Sequence, residues 1–435
     1  MNKKKLIFIL TLILATCVSA CGHMDTTEKA PPEPSLLKDA YEWIQKENII
    51  ETEQAYFQEG VNFESKLFNS VEYKSADEKY KKLYENVQGI YFEGAKLKDG
   101  TSSEIFAYLG MPKSATPTNR VPGVVLVHGG GGTAFAAWVN EWVKRGYAAI
   151  AFDSEGYTPE PTKEILGAAQ VKHKNSRGGP NNDQYQLSAT QAVEDTFLFH
   201  ATSAAIASNT ILRNLDVVDP SKVGITGISW GGVIASVATG YDDRFAFSVP
   251  VYGCLNLVGS HGIFGDLYEK QEKARIWDDS TPYAERLTPT LWINGTQDQH
   301  FSADATNLSY LQGKQALMSL QYGLAHGHKF DIEEVYRFAD SVVRQGTKLI
   351  KITKHPTFDD ATIEFLIPIG VSVSQVKMYL SESLFPETNT FWVQQSVDYA
   401  EGKTKALVIE ERYNMFYFEI TDIYGCKITS AIAYR

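Results

Sequence analysis

Cysteine is scarce in this chain, with four among 435 residues. None of them stands with histidine at the spacing of a structural metal site, so neither a metal nor any other cofactor is expected. Positive charge is also in deficit: 41 basic residues face 52 acidic ones, a formal charge of −11. Without a basic stripe the chain is a poor candidate for nucleic-acid binding, and the acidity speaks to solubility rather than to substrate. No apolar run is long enough to cross a bilayer. The longest at the N-terminus, from Leu6 to about Ala15, falls well short of the roughly 20 residues required. Internal repeats are absent, and low complexity is confined to the neighbourhood of Pro31-Pro32-Glu33-Pro34. A length of 435 residues at 43% hydrophobic content allows a sizeable core and two or three domains.

What the N-terminus does contain is Lys3 to Lys5, the short apolar run, and then Val18-Ser19-Ala20-Cys21. This is the order of an export signal: positive region, apolar region, small-residue cleavage site. The cysteine directly after Val-Ser-Ala resembles a bacterial lipobox. That resemblance implies cleavage before Cys21, acylation of its thiol and of the new amino terminus, and attachment to a membrane by lipid alone. An ordinary cleaved signal with an incidental cysteine is the competing reading. Residues 1–20 are accordingly read as signal and 21–34 as a polar tether. Cys17 would leave with the signal, so Cys254 and Cys426 remain, either as a disulfide in an oxidising compartment or as two buried thiols.

Residues 35–86 mix helical periodicity with charge, as in Leu36 to Ile44, and are read as an N-terminal helical extension. From about Val87 short runs rich in β-branched residues alternate with longer helical ones. Val121 to Val127 is almost continuously apolar, as in a strand covered on both faces. Helices are expected over 135–145 and, as a long amphipathic segment, 187–215. Strands are expected over 147–152, 223–226, 247–251, 290–293 and 317–321, and a closing helix over about 331–345. Such alternation predicts an α/β domain over 87–346, a mostly parallel sheet with helices on both faces. Two polar excursions, 154–186 and 255–287, are long enough to be lids or functional loops. After Gly346 the period becomes that of strands, over 362–367, 376–380, 404–410 and 415–420. Residues 347–435 are therefore read as a small antiparallel β-sandwich.

The strongest chemical signal is Gly227-Ile228-Ser229-Trp230-Gly231-Gly232, between a predicted strand and a predicted helix. A strand turning sharply into a helix puts its middle residue on a strained elbow and needs small residues on either side. A serine there is a nucleophile with its hydroxyl exposed above the sheet. The second signal is His128-Gly129-Gly130-Gly131-Gly132 at the end of an apolar strand. Attack on a carbonyl builds negative charge on its oxygen, and amides of Gly130 or Gly131 together with Trp230 could receive it. A phosphate loop is disfavoured because no Gly-Lys-Ser/Thr follows.

A serine hydroxyl needs a base, and the base needs an acid, both C-terminal to Ser229 in this fold. Asp298 follows the strand-like Leu291 to Gly295; Asp266, Asp278 and Asp279 are rivals inside an excursion. Ala325-His326-Gly327-His328 follows the next strand. His326, nearer the strand end, is preferred as base, with His328 the alternative. His300 is read as lining a pocket or surface, and His128 as structural. Trp138, Trp230, Tyr252 and Trp277 are candidate pocket aromatics, although such rings more commonly fill cores.

Together VVLVHGGGGTAF (124–135), GYAAIAFD (146–153), GITGISWGG (224–232), PVYGC (250–254) and LWINGTQD (291–298) resemble the dienelactone hydrolase and acetyl xylan esterase-like branch of the α/β-hydrolases. That branch borders the prolyl oligopeptidase catalytic domain. The resemblance spans about 87–345 and implies that Ser229, Asp298 and His326 form the catalytic triad. It further implies a two-step acyl transfer. Three classes follow: an esterase acting on acylated glycans or small esters, a prolyl oligopeptidase-like serine peptidase, and a glycan-binding protein on an inactive scaffold. The long excursions, the lipid anchor and the C-terminal region depart from well-characterised acetyl xylan esterases, and leave the substrate open.

Overall fold

The computed structural model describes residues 61–97, 99–161, 192–258, 260–265, 277, 283 and 288–435. The signal, the tether, Cys21, residues 35–60 of the expected extension, Asp266, Asp278, Asp279 and most of the two excursions lie outside the described residues.

A nine-stranded sheet organises the fold. In chain order its strands are β1 (Tyr73–Ser75), β2 (Val87–Lys96), β3 (Ser102–Gly110), β4 (Val121–Val127), β5 (Ala148–Phe152), β6 (Val218–Ile228), β7 (Ser248–Val251), β8 (Thr290–Gly295) and β9 (Ala316–Gln321). In space they run β1-β2-β3-β5-β4-β6-β7-β8-β9. The pairings from β5 through β9 are parallel, whereas β1, β2 and β3 join antiparallel at one edge. Parallel neighbours require crossovers, and the helices α1 (Ala136–Lys144), α2 (Phe197–Arg213) and α3 (Trp230–Tyr241), then α4 (Ala303–Gln312) and α5 (Glu333–Val343), lie along them.

Side chains alternate across a strand, so one strand feeds two cores. Val125 and Val127 of β4, with Ile150 and Phe152 of β5, join α2, α3 and α4 on one face. Val124, Leu126, Ala149 and Ala151 join α1 and α5 on the other. That two-sided burial is why the interior strands read as unbroken apolar runs.

The predicted helical extension differs from what residues 61–86 adopt. They form a single helical turn at Lys66–Asn69, the strand β1 and a 3₁₀ turn at Glu78–Lys81. Their charged residues alternate with apolar ones that cover α2: Phe63 stacks on Phe199 at 5.1 Å, and the Thr210 hydroxyl donates to the Leu67 carbonyl. This cover explains why α2 is buried from Phe197 through Leu212 and not amphipathic. Thr196 caps its N-terminus by accepting from the Phe199 amide.

Beyond Gly346 two antiparallel sheets follow. The first is built from β10 (Lys351–Lys354), β11 (Glu364–Leu366), β14 (Tyr399–Ala400) and β15 (Lys403–Thr404). The second is built from β12 (Val373–Ser381), β13 (Val393–Ser396), β16 (Met415–Asp422), β17 (Lys427–Thr429) and β18 (Ala433–Tyr434). Ile363 and Phe365 share one core with Met378, Leu380, Phe416 and Phe418. Of the strand expected over 404–410, only Thr404 is in a strand; Leu407 and Ile409 after it pack partly buried on the core without pairing to a strand. Described residues on both sides of Gly346 belong to one compact unit. Cys254 and Cys426 are buried thiols, not a disulfide.

Candidate active site

The strands β4, β5, β6, β8 and β9 end at the same edge of the sheet, and each carries a polar loop there, as parallel topology dictates. At the end of β6, Ser229 has φ 59° and ψ −124°, a conformation L-residues seldom adopt. Close packing sustains it. A Cβ on Gly227 would lie 1.9 Å from the Gly231 carbonyl oxygen, and one on Gly231 would lie 2.0 Å from that of Val127. A Cβ on Gly253 would lie 2.1 Å from the Ser229 carbonyl oxygen. The Ser229 amide still donates to Val251 at 2.7 Å, so the strand continues up to the turn, and α3 starts one residue later. The hydroxyl therefore stands near the positive end of a twelve-residue helix.

Asp298 follows β8. Its Oδ1 accepts the amides of His300 at 2.8 Å and Phe301 at 3.0 Å, and its Oδ2 lies 2.6 Å from His326 Nδ1. A buried carboxylate only accepts, so Nδ1 is the protonated nitrogen and Nε2 carries the lone pair. That Nε2 lies 3.0 Å from Ser229 Oγ and accepts from its hydroxyl. The loops after β6, β8 and β9 thus converge in one chain of hydrogen bonds, Ser229 to His326 to Asp298. Such a chain can draw the proton from the hydroxyl as its oxygen attacks a carbonyl carbon.

His328, the alternative base, is turned elsewhere. Its Nε2 accepts the Gly129 amide at 3.0 Å, and its ring packs on Phe135 at 5.2 Å. Burial, then its histidine neighbours His128 and His326, pull its pKa down to about 4, which keeps it a neutral acceptor. His128 is buried. Its Nδ1 donates to the Gly129 carbonyl at 2.8 Å and its Nε2 accepts the Ser154 amide at 2.9 Å. His300 packs 4.8 Å from the His326 ring, and burial lowers its pKa.

Two expectations change. The Gly131 amide donates to Glu155 Oε1 at 2.6 Å, so it is engaged by a buried carboxylate and not by anything bound at Ser229. Trp138 and Trp277 are core residues, 3% and 1% exposed; Trp138 stacks on Phe330 at 4.8 Å. Trp230 is also buried, edge-on to Phe264 and Phe301. Tyr252 does lie at the site, its ring 5.1 Å from that of His326. Glu155 escaped the sequence reading, although it follows β5 at the edge where the other site loops gather.

A family model described as acetyl xylan esterase (AXE1) matches residues 36–257, and one for the prolyl oligopeptidase family matches residues 203–342. The first span includes Ser229 and ends before Asp298; the second includes all three polar residues of the chain of hydrogen bonds. No curated protein matches the chain. Among solved structures, an acetyl xylan esterase from Paenibacillus sp. R4 is 17% identical with a TM-score of 0.48, covering 66% of this chain and 92% of the other. Acetyl xylan esterase 1 from Thermoanaerobacterium sp. JW/SL YS485 is 15% identical with a TM-score of 0.46, over 67% and 93%. The acylaminoacyl peptidase of Pyrococcus horikoshii is 16% identical with a TM-score of 0.46, over 61% of this chain and 43% of that one.

Proposed function

The chain belongs to the acetyl xylan esterase family and is a serine hydrolase, and we propose that it removes acetyl or related acyl groups from glycans outside the cell. The observation that best supports this reading is His326 bridging Ser229 and Asp298 at 3.0 and 2.6 Å. Ser229 is the nucleophile. Its oxygen bonds to the ester carbonyl carbon while its proton passes to His326 Nε2, and Asp298 stabilises the imidazolium. The bond to the sugar oxygen then breaks, and that oxygen leaves with the proton from His326. Water completes the cycle: its oxygen bonds to the acyl carbon, its proton goes to His326, and the acid departs as Ser229 takes the proton back. The amides of Gly130 and Trp230 receive the charge that develops on the carbonyl oxygen.

In a panel of p-nitrophenyl acetate, acetylated xylan and proline-containing peptides, turnover of the two esters is the expected result. Cleavage of the peptides alone would favour a peptidase, the reading to which the prolyl oligopeptidase match lends support. Ser229→Ala is expected to lower kcat at least about 10⁴-fold and to abolish fluorophosphonate labelling. Retained hydrolysis in that variant would refute the assignment.

The domain acts, in this reading, as a lipoprotein held to the cell envelope through Cys21. Metabolic labelling with a fatty acid is expected to mark the wild-type chain and to be lost in Cys21→Ala, which should leave the membrane fraction. A Cys21→Ala chain that still sediments with membranes would dismiss the anchor.

A further inference from the structure

Four consecutive glycines are a costly way to build a site that must be rigid, because glycine loses more backbone freedom on ordering than any other residue. The loop Gly129 to Gly132 is nevertheless pinned from the neighbouring strand. It closes as a turn, with the Gly132 amide donating to the Gly129 carbonyl at 2.9 Å and Gly131 at φ 71°. Three side-chain contacts then lace it to the Asp153-Ser154-Glu155 segment that follows β5. His128 Nε2 accepts the Ser154 amide, the Thr133 hydroxyl donates to Asp153 Oδ2 at 2.8 Å, and the Gly131 amide donates to Glu155 Oε1 at 2.6 Å. Asp153 Oδ1 in turn accepts the amides of Glu155 and Tyr157, which fixes the segment that carries the glutamate.

The amides of this loop are thereby sorted. That of Gly129 goes to His328, that of Gly131 to Glu155 and that of Gly132 into the turn. The Gly130 amide is left without a protein acceptor among the described residues. The loop abuts the nucleophile, since a Cβ on Gly129 would stand 2.9 Å from Ser229 Cβ. Glu155 is 1% exposed and its contact with the Gly131 amide is short, so the turn is held from inside the protein and not from solvent.

We propose that Glu155 is a positioning residue for the reaction at Ser229: by engaging Gly131 it fixes the glycine turn with the Gly130 amide presented to the oxyanion. This rests on the acyl-transfer reading above. Glu155 acts through the loop and not on Ser229 itself, so its removal should act on kcat and leave KM nearly unchanged.

The test measures kcat and KM for p-nitrophenyl acetate on the full chain and its Glu155→Ala, Glu155→Asp and Glu155→Gln variants, with Ser229→Ala alongside. Glu155→Ala is expected to lose at least about tenfold in kcat, up to the 10²–10³ seen when an oxyanion donor is removed. Glu155→Gln keeps an oxygen within reach of Gly131 and should stay within a few-fold of wild type. Glu155→Asp, one methylene shorter, should resemble Glu155→Ala. If Glu155→Ala does not fold, the contrast between Gln and Asp carries the decision. Wild-type or raised kcat in both Ala and Asp variants, with Ser229→Ala inactive, overturns this proposal alone. An active Ser229→Ala overturns the acyl-transfer reading and this proposal with it.

Discussion

His326 and His328 are separated by a single glycine, yet they meet opposite surroundings. His326 lies between a carboxylate and a hydroxyl, whereas His328 is packed on Phe135 with its Nε2 against a backbone amide. Protonating His328 would bury a charge, and would do so beside His128 and His326, and this is why its pKa falls from 6.5 to about 4. Between those values the unfolded chain binds more protons at this site than the folded one. Its contribution to stability is therefore fully present above about pH 6.5 and lost as pH falls toward 4. Melting temperatures of wild type and His328→Asn, recorded from pH 7 to pH 4.5, should show a steeper acid decline in wild type. The asparagine oxygen can accept from Gly129 but does not titrate, so equal slopes would mean that His328 is not the group responsible. Glu155 acts at the same scale but left no trace in the sequence reading. Its partner is a backbone amide, and no residue pattern says which amide a carboxylate will find.

Among the elements, the elbow joining β6 to α3 leaves its glycines no room for a side chain, and they differ in kind from Gly327. A methyl group on Gly231 meets the backbone oxygens of Val127 and His128 at 2.0 and 2.7 Å, which cannot yield without moving β4. On Gly327, between the two histidines, a methyl group meets nothing within 4 Å. Gly231→Ala should therefore cost about 3 kcal/mol, and Gly327→Ala less than about 0.5 kcal/mol, by urea unfolding. Similar midpoints for the two would show that the elbow is looser than its geometry implies. This local rigidity is also what made the elbow readable: small residues at fixed offsets around a serine are a steric requirement, so they survive in the sequence as a pattern. Asp298 and His326 were legible for a topological reason, since residues ending successive parallel strands emerge at one edge. Trp138 and Trp277 were not, because nothing in the residues around a large ring says whether it fills a core, the commoner case, or lines a cleft. The edge strand β1 was similarly hard to foresee, lying in the stretch 35–86 whose charge pattern imitates a helix.

For the molecule as a whole, the question is whether the C-terminal sheets are an attached module or part of the hydrolase body. Arg337 of α5 donates to Asp422 at the end of β16 at 2.6 Å, and its guanidinium lies 4.5 Å from the centre of the Tyr424 ring. Arg337 also donates to the carbonyls of Thr347 and Lys348, the chain that links the two regions. Nearby, the Leu320 amide of β9 donates to the Thr429 hydroxyl of β17 at 3.0 Å, and the Ile432 amide donates to Asn307 Oδ1 at 2.9 Å. Both members of the Arg337 and Asp422 pair are buried, so removing one strands the other's charge, a loss of about 3–5 kcal/mol. In Arg337→Met the destabilisation should reach the active site as well. Unfolding followed by near-ultraviolet circular dichroism and by residual esterase activity should remain one coincident transition, shifted to lower urea. A first transition that melts the C-terminal sheets while Ser229 still turns over ester would instead mean that α5 and β9 hold their places without them, and that the two regions fold separately.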